Sequence, residues 1–186
     1  MLRNLLIIVC LLSSANVFAQ KKGVQINATV GVRLPKKSAS NDPNHPYKAI
    51  GSSLPPLRVV TMDGKVITNK EVDYHANLVV MLFNPTCEHC QDQTDLFEKN
   101  IFLFKKSKLL MIAAPTMGPY LQNFITTYHT DQYPGTIIVG LDSNSTIDKT
   151  FRYESLPQIN IYDANRKLIK VFSGNRPIDS LKRYIQ

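Results

Sequence analysis

Long apolar segments are missing from this sequence. The longest uninterrupted apolar run, at residues 5–12, is eight residues long, whereas a membrane-spanning helix needs roughly 20. Arg3 precedes the run, and a small residue, Ala19, ends a segment typical of a cleavage site. We expect residues 1–19 to be a signal peptide. Its removal on export would leave no transmembrane segment in a periplasmic or otherwise extracytoplasmic protein.

Cysteine is also scarce, with 3 residues in the whole chain. Cys10 lies in the signal peptide, so the mature protein would keep Cys87 and Cys90 alone, three positions apart in an oxidising compartment. A structural disulfide between distant elements is then excluded within the mature chain. The pair must be redox-active, metal-binding or incidental.

Clustered basic residues are missing too, although 22 Lys and Arg against 14 Asp and Glu give a formal net charge of +8. The positive charges are scattered along the chain, as on an ordinary solvated surface. Nucleic-acid binding would need a concentrated basic stripe in a recognisable module. We therefore expect no nucleic acid among the partners.

The chain divides into a leader and one domain. Residues 20–48 are polar and contain three prolines, which indicates a flexible leader. Residues 49–186 have the length and apolar content of a single globular domain. Residues 57–61 and 65–68 flank a turn signal at Gly64 and predict a β-hairpin at its N-terminal end.

Apolar runs then alternate with helical periodicity. Residues 78–83 are uniformly apolar, as in a central strand buried on both faces. The other expected elements are strands at 109–114 and 136–141, helices at 88–100 and around Leu121 to Tyr128, a short helix capped by Ser145 or Thr146, a hairpin of 158–162 with 168–172, and a last helix after Pro177. This order predicts an α/β fold with a central mixed sheet flanked by helices.

Cys87 and Cys90 enclose Glu88 and His89, directly after the apolar strand and at the start of a helix. Free N–H groups and the positive end of the helix dipole stabilise a thiolate, the reactive form of cysteine. We expect Cys87 to attack and Cys90, one turn later, to resolve the mixed disulfide. A positive His89 would favour the thiolate and Glu88 would oppose it, so both are expected to tune the redox potential.

Other interpretations of the pair remain open at this point, namely a surface disulfide or two ordinary buried thiols. A structural zinc site would need two further ligands, and His45, His75 and His129 show no second paired spacing. No metal is therefore assigned. No cofactor is expected beyond the Cys87–Cys90 disulfide itself.

From about Ile50 onward the chain resembles the TlpA/ResA type of thioredoxin-fold protein, the exported redoxin-type relatives of thioredoxin. The resemblance rests on residues 50–55 and 63–65, on FNPTCEHC at 83–90 and on LPQI at 156–159. It implies a thioredoxin-like sandwich over residues 49–186 and a thiol-disulfide oxidoreductase activity. It also implies that Pro157 is a cis-proline that binds substrate together with Leu156 beside the dithiol.

Three residues depart from the family pattern. Thr86 stands where a tryptophan often precedes the first cysteine, Gln158 replaces a common threonine, and Met81 occupies the position of a buried acid in thioredoxin. No proton acceptor for Cys90 is therefore expected at position 81. Glu88 is the substitute candidate for a proton relay.

The resemblance implies reduction of disulfides in exported proteins with cysteines, such as apocytochromes c, with electrons from an unidentified membrane donor. His89 argues instead for a more oxidising couple. One alternative is a metal-delivery protein that binds Cu(I) through Cys87, Cys90 and a histidine. Another is a peroxiredoxin-like peroxidase, although Asn84 stands where that family has a threonine.

Overall fold

The computed structural model describes residues 46–73, 75–151 and 153–185. The predicted signal peptide and nearly all of the predicted leader lie outside the described residues. Within the described part of the chain, no helix is long and apolar enough to cross a membrane.

Seven strands form one mixed sheet: β1 Arg58–Thr61, β2 Val66–Thr68, β3 Leu78–Phe83, β4 Lys108–Ala113, β5 Ile137–Asp142, β6 Gln158–Tyr162 and β7 Leu168–Ser173. Their order across the sheet is β2-β1-β5-β4-β3-β6-β7. The central strands β3, β4 and β5 are parallel neighbours, and an antiparallel hairpin extends the sheet at each edge. The mixed sheet and its N-terminal hairpin are confirmed.

Three helices, α1 Glu88–Lys99, α2 Gly118–Thr127 and α3 Ile178–Ile185, cover one face of this sheet. α1 joins β3 to β4 and α2 joins β4 to β5. Because the chain moves across the sheet in one direction, right-handed crossovers bring both helices to the same face. α3 packs there as well, with Leu181 and Ile185 fully buried.

β3 is buried on both faces, as its unbroken apolar run predicts. Alternate side chains enter two clusters, so that Met81 lies beneath the helices and Val80 lies on the opposite face. That opposite face is covered by Leu54, Leu57 and Phe151, which belong to segments outside the three α-helices. The strand carrying the dithiol loop is therefore enclosed from both sides.

The predicted short helix near residue 147 differs from expectation. It is a single π-helical turn, Ile147–Phe151, and its first N–H donates to the carboxylate of Asp142 at 2.7 Å. The Thr146 hydroxyl instead donates to the Pro56 carbonyl at 3.2 Å. The predicted cap at Ser145 or Thr146 is therefore wrong, because the Asp142 carboxylate at the end of β5 accepts the hydrogen bond from the first N–H of the turn.

Candidate active site

The dithiol follows a tight turn between β3 and α1. The Asn84 side-chain oxygen accepts hydrogen bonds from the Thr86 backbone N–H at 2.8 Å and the Thr86 hydroxyl at 2.9 Å. The Cys87 N–H donates to the Asn84 carbonyl at 3.0 Å. These contacts redirect the chain so that Cys87 becomes the N-cap residue of α1.

The two thiols are in contact but differ in exposure. Cys87 is partly exposed and Cys90 is fully buried. The Cys90 and Gln91 N–H groups both donate to the Cys87 carbonyl at 3.0 Å, and the two cysteine side chains lie near enough to interact. Cys87 can therefore react with the disulfide of another protein, whereas Cys90 can react only with a disulfide formed at Cys87.

The environment of Cys90 favours its neutral thiol. Burial raises the pKa of Cys90 strongly, because the thiolate would lose its hydration, and contact with the Cys87 side chain adds to the rise. A hydrogen bond from the Asn84 backbone acts in the opposite direction. Burial dominates, so Cys90 holds its proton until another group removes it.

Glu88 and His89, the predicted redox-tuning residues, are both exposed in the first turn of α1. The two residues adjoin the cysteines in sequence, but their side chains lie in solvent. Water screens such charges, so their influence on the sulfurs is weakened. Redox tuning by these two residues, and proton relay by Glu88, stay predictions.

Met81 lies in the same buried cluster as Cys90 and has no exposed surface. Sequence reasoning missed two polar neighbours of Cys90. The Asn-Pro signal of Asn84 marked only the end of the strand, but the backbone of Asn84 lies near enough to the Cys90 thiol to lower its pKa. Thr94 is buried one turn further on and donates its hydroxyl to the Cys90 carbonyl at 2.8 Å.

The Leu156–Pro157 peptide bond is cis, as the resemblance implied. Antiparallel pairing sets Leu82 opposite Gln158, so Pro157 lies at the end of the sheet from which the dithiol loop departs. The Gly174 N–H donates to the Pro157 carbonyl at 2.9 Å. Leu156 and Cys87 both pack against the apolar cluster that contains Cys90, and substrate binding by Leu156 and Pro157 remains a prediction.

A groove of about 560 Å³ lies between the N-terminal hairpin and α2, and none of the predicted site residues lines it. A smaller groove of about 440 Å³ is formed by the turn before Cys87, the start of α1 and one side of α2. Among the residues that the structure describes, no group of three or more His, Cys, Asp or Glu side chains is arranged to hold a metal ion.

No protein-family model matches the sequence, and none of the curated proteins matches it. Solved structures do. The thioredoxin domain of a thiol-disulfide oxidoreductase from Bacteroides vulgatus superposes with a TM-score of 0.59 at 14% identity, covering 74% of this chain and 99% of that one.

Two further neighbours are StoA from Bacillus subtilis and a secreted disulfide oxidoreductase from Mycobacterium tuberculosis. StoA gives a TM-score of 0.57 at 15% identity and covers 72% of this chain and 99% of its own. The Mycobacterium tuberculosis protein gives 0.58 at 14% identity and covers 69% of this chain and 92% of its own. At these identities the likeness is one of fold, and the chain has the thioredoxin-like fold that its residues resemble.

Proposed function

We propose that this chain is a thiol-disulfide oxidoreductase that exchanges disulfides with protein substrates through Cys87 and Cys90. The observation that carries the proposal is the difference between two touching thiols, one partly exposed at a helix start and one buried behind it. A surface disulfide would not need a buried member. Two ordinary core thiols would not leave one of them accessible.

In the proposed reaction the Cys87 thiolate attacks one sulfur of a substrate disulfide. A bond forms between Cys87 and that sulfur, and the second substrate sulfur leaves as a thiolate and takes up a proton. Cys90 then loses its proton and attacks the Cys87 sulfur, which forms the Cys87–Cys90 disulfide and releases the first substrate sulfur. The substrate gains two electrons and the dithiol loses two.

We propose further that the protein works as a reductant outside the cytoplasm, as the TlpA/ResA resemblance implies. Its substrates would then be exported proteins with cysteines, apocytochromes c among them, bound beside Leu156 and Pro157. Each turnover leaves the Cys87–Cys90 disulfide, so an external dithiol donor must return two electrons, and we place this donor in the membrane. The secreted structural neighbour from Mycobacterium tuberculosis supports the location.

Insulin, whose chains are joined by disulfides, provides a model substrate for the first test. The Cys90→Ser variant should accumulate a mixed disulfide between Cys87 and an insulin chain, seen by mass spectrometry without reductant. The matched Cys87→Ser variant should form none, because its remaining thiol is buried. A Cys90→Ser protein that traps no insulin chain would contradict the exchange chemistry.

Equilibration with glutathione measures the reduction potential of the Cys87–Cys90 pair. This potential decides whether the protein acts as a reductant or as an oxidant. A reduction potential close to that of thioredoxin, about −270 mV, is expected for a reductant. A value close to that of DsbA, about −120 mV, would overturn the reductant role and leave exchange chemistry intact. The measurement needs no knowledge of the natural partner.

A further inference from the structure

We propose that the groove between the start of α1 and α2 binds a large aromatic side chain of the disulfide partner, with a neighbouring Lys or Arg of that partner set against the acidic side of α1. This α1–α2 groove has a volume of about 440 Å³, within the usual size range of ligand pockets. The inference rests on the proposed function and names the polypeptide chemistry that the site would prefer. Its walls include Pro85, Thr86, Gln91, Pro119, Tyr120 and Tyr128.

The groove extends to the residue that precedes the partly exposed Cys87. Thr86 lines it and immediately precedes Cys87, and Gln91 lines it one helical turn further on. The Gln91 side-chain amide donates to the Pro85 carbonyl at 2.8 Å, which fixes the near wall to the turn. A polypeptide whose cysteine sulfur meets Cys87 can therefore place an adjacent side chain in the groove.

Aromatic rings form the far side of the groove. The ring of Tyr128 packs against that of Phe124 with centroids 4.8 Å apart, and Phe124 packs against Phe83 at 4.9 Å, each pair tilted by 42°. This series of rings connects the groove to the core beneath β3. Tyr120, by contrast, is 52% exposed at the rim, so its ring face is open to pack against an incoming aromatic side chain.

The residues that line the groove are uncharged, but the adjoining surface of α1 is acidic and favours a basic neighbour on the partner. α2 contains no charged residue, whereas α1 carries Glu88, Asp92 and Asp95 at helical spacing along one side. Burial raises the pKa of Tyr128, and the nearby carboxylates of Asp92 and Asp95 raise it further. In a sequence of net charge +8, this patch attracts positive charge.

Asp95 is bonded to Lys99 at 2.6 Å, and Asp92 directly follows Gln91 of the groove wall, so we assign the contact with the partner's cation to Asp92. Asp92 also lines a separate groove together with Arg176. Asp92 is exposed, and a single solvated ion pair contributes modestly. The aromatic contact should therefore contribute more than the ion pair to the preference for one partner sequence over another.

Two activated peptides test the proposal kinetically. Each carries one cysteine as its mixed disulfide with thionitrobenzoate, preceded by Lys-Trp in one peptide and by Glu-Ser in the other. Release of thionitrobenzoate measures the attack by Cys87. We expect the reduced protein to react about tenfold faster with the Lys-Trp peptide.

The variants separate the aromatic contribution from the charge. Tyr120→Ala should lower the preference for the Lys-Trp peptide about threefold or more, and Tyr120→Phe should restore it. Asp92→Asn should lower it about twofold. Phe102→Ala removes an aromatic side chain that is 70% exposed outside the groove, and Asp148→Asn removes an exposed acid of another segment. Both of these control variants should keep the wild-type preference for the Lys-Trp peptide.

Direct binding gives a readout that needs no thiol chemistry. The protein has no tryptophan, so the emission of a Lys-Trp-Ser peptide reports its own environment. A saturable blue shift with the wild type, weakened in Tyr120→Ala and kept in Phe102→Ala, is expected. If binding depends on Tyr120 while Cys87 attacks neither peptide, the groove stands and the exchange function falls.

Other outcomes overturn the groove and leave the exchange function in place. One is an equal rate with both activated peptides. Another is an equal loss of preference in Tyr120→Ala and Phe102→Ala. A third is a dimer, seen by sedimentation, that dissociates in Tyr120→Ala, because a second copy of this chain would then be the occupant.

Discussion

The thiol of Cys90 lies near the Cys87 side chain yet has no exposed surface, whereas Cys87 is partly open to solvent. The backbone ties the two residues together through the Cys90 N–H and the Cys87 carbonyl, 3.0 Å apart. The two sulfurs thus differ in what limits their reactions. The first exchange step depends on access to Cys87, and the second depends on removing a proton from Cys90.

The second exchange step should accelerate as the pH rises. Burial raises the pKa of Cys90, so its thiolate fraction increases about tenfold for each pH unit below that pKa. Reaction of the reduced protein with dithiobis-nitrobenzoate releases two thionitrobenzoates, and the second release should follow this increase between pH 6 and 9. Cys90→Ser should release one equivalent only. A second phase that is independent of pH would contradict the assignment.

The raised pKa of Cys90 also predicts how the stability of the reduced protein depends on pH. An unfolded thiol ionises near its ordinary value of 9.0, while the folded protein keeps the proton. Above that value the native state binds more protons than the unfolded state, so the free energy of unfolding falls as the pH rises. The loss is at most about 1.4 kcal/mol per pH unit for this group.

Urea unfolding with excess reductant, at pH 7 to 10, measures this effect as the difference between the wild type and Cys90→Ala. The buried Tyr162 also has a raised pKa, but it is present in both proteins and cancels from the difference. The advantage of the wild type should shrink above pH 9. A difference that stays constant across the range would show that Cys90 does not retain its proton on folding.

Gly140 in β5 should tolerate no side chain. A Cβ atom there would lie 2.6 Å from a methyl group of Val59 and 2.7 Å from the Val60 carbonyl oxygen of β1. The neighbouring strand must shift, so Gly140→Ala should lower the free energy of unfolding by about 1–3 kcal/mol. Gly135→Ala is the matched control, because its Cβ meets nothing within 4 Å. Chemical denaturation compares them, and equal stabilities would refute the close approach.

Asp142 should matter for stability because it holds the turn after β5. Its carboxylate is buried and accepts the N–H groups of Ile147 at 2.7 Å and Asn144 at 3.2 Å. Asp142→Ala leaves both donors without this acceptor, at a cost of about 1–3 kcal/mol. Asp148→Asn, an exposed change in the same turn, should alter stability by less than about 0.5 kcal/mol. Thermal unfolding of both variants provides the comparison.

The turn after β5 also shows where sequence reasoning reached its limit. Ser145 and Thr146 have the residue types that cap helices, and the pattern therefore predicted a capped helix. The Asp142 carboxylate accepts the first N–H of the turn instead, because the chain after β5 brings Ile147 within 2.7 Å of it. Capping depends on the path of the preceding residues in space, which residue preferences do not record.

Local pattern by itself determined the strands, the helices and the position of Cys87 and Cys90 at a helix start. Such features depend on neighbours along the chain, and the apolar run of β3 is visible in six consecutive letters. Tertiary structure alone decided that all three helices share one face, that Cys90 is buried while Cys87 is not, and that Tyr120 stands across a groove from Thr86. The burial of a side chain and the order of strands in a sheet depend on residues that are far apart in sequence. Only the folded chain brings those residues together.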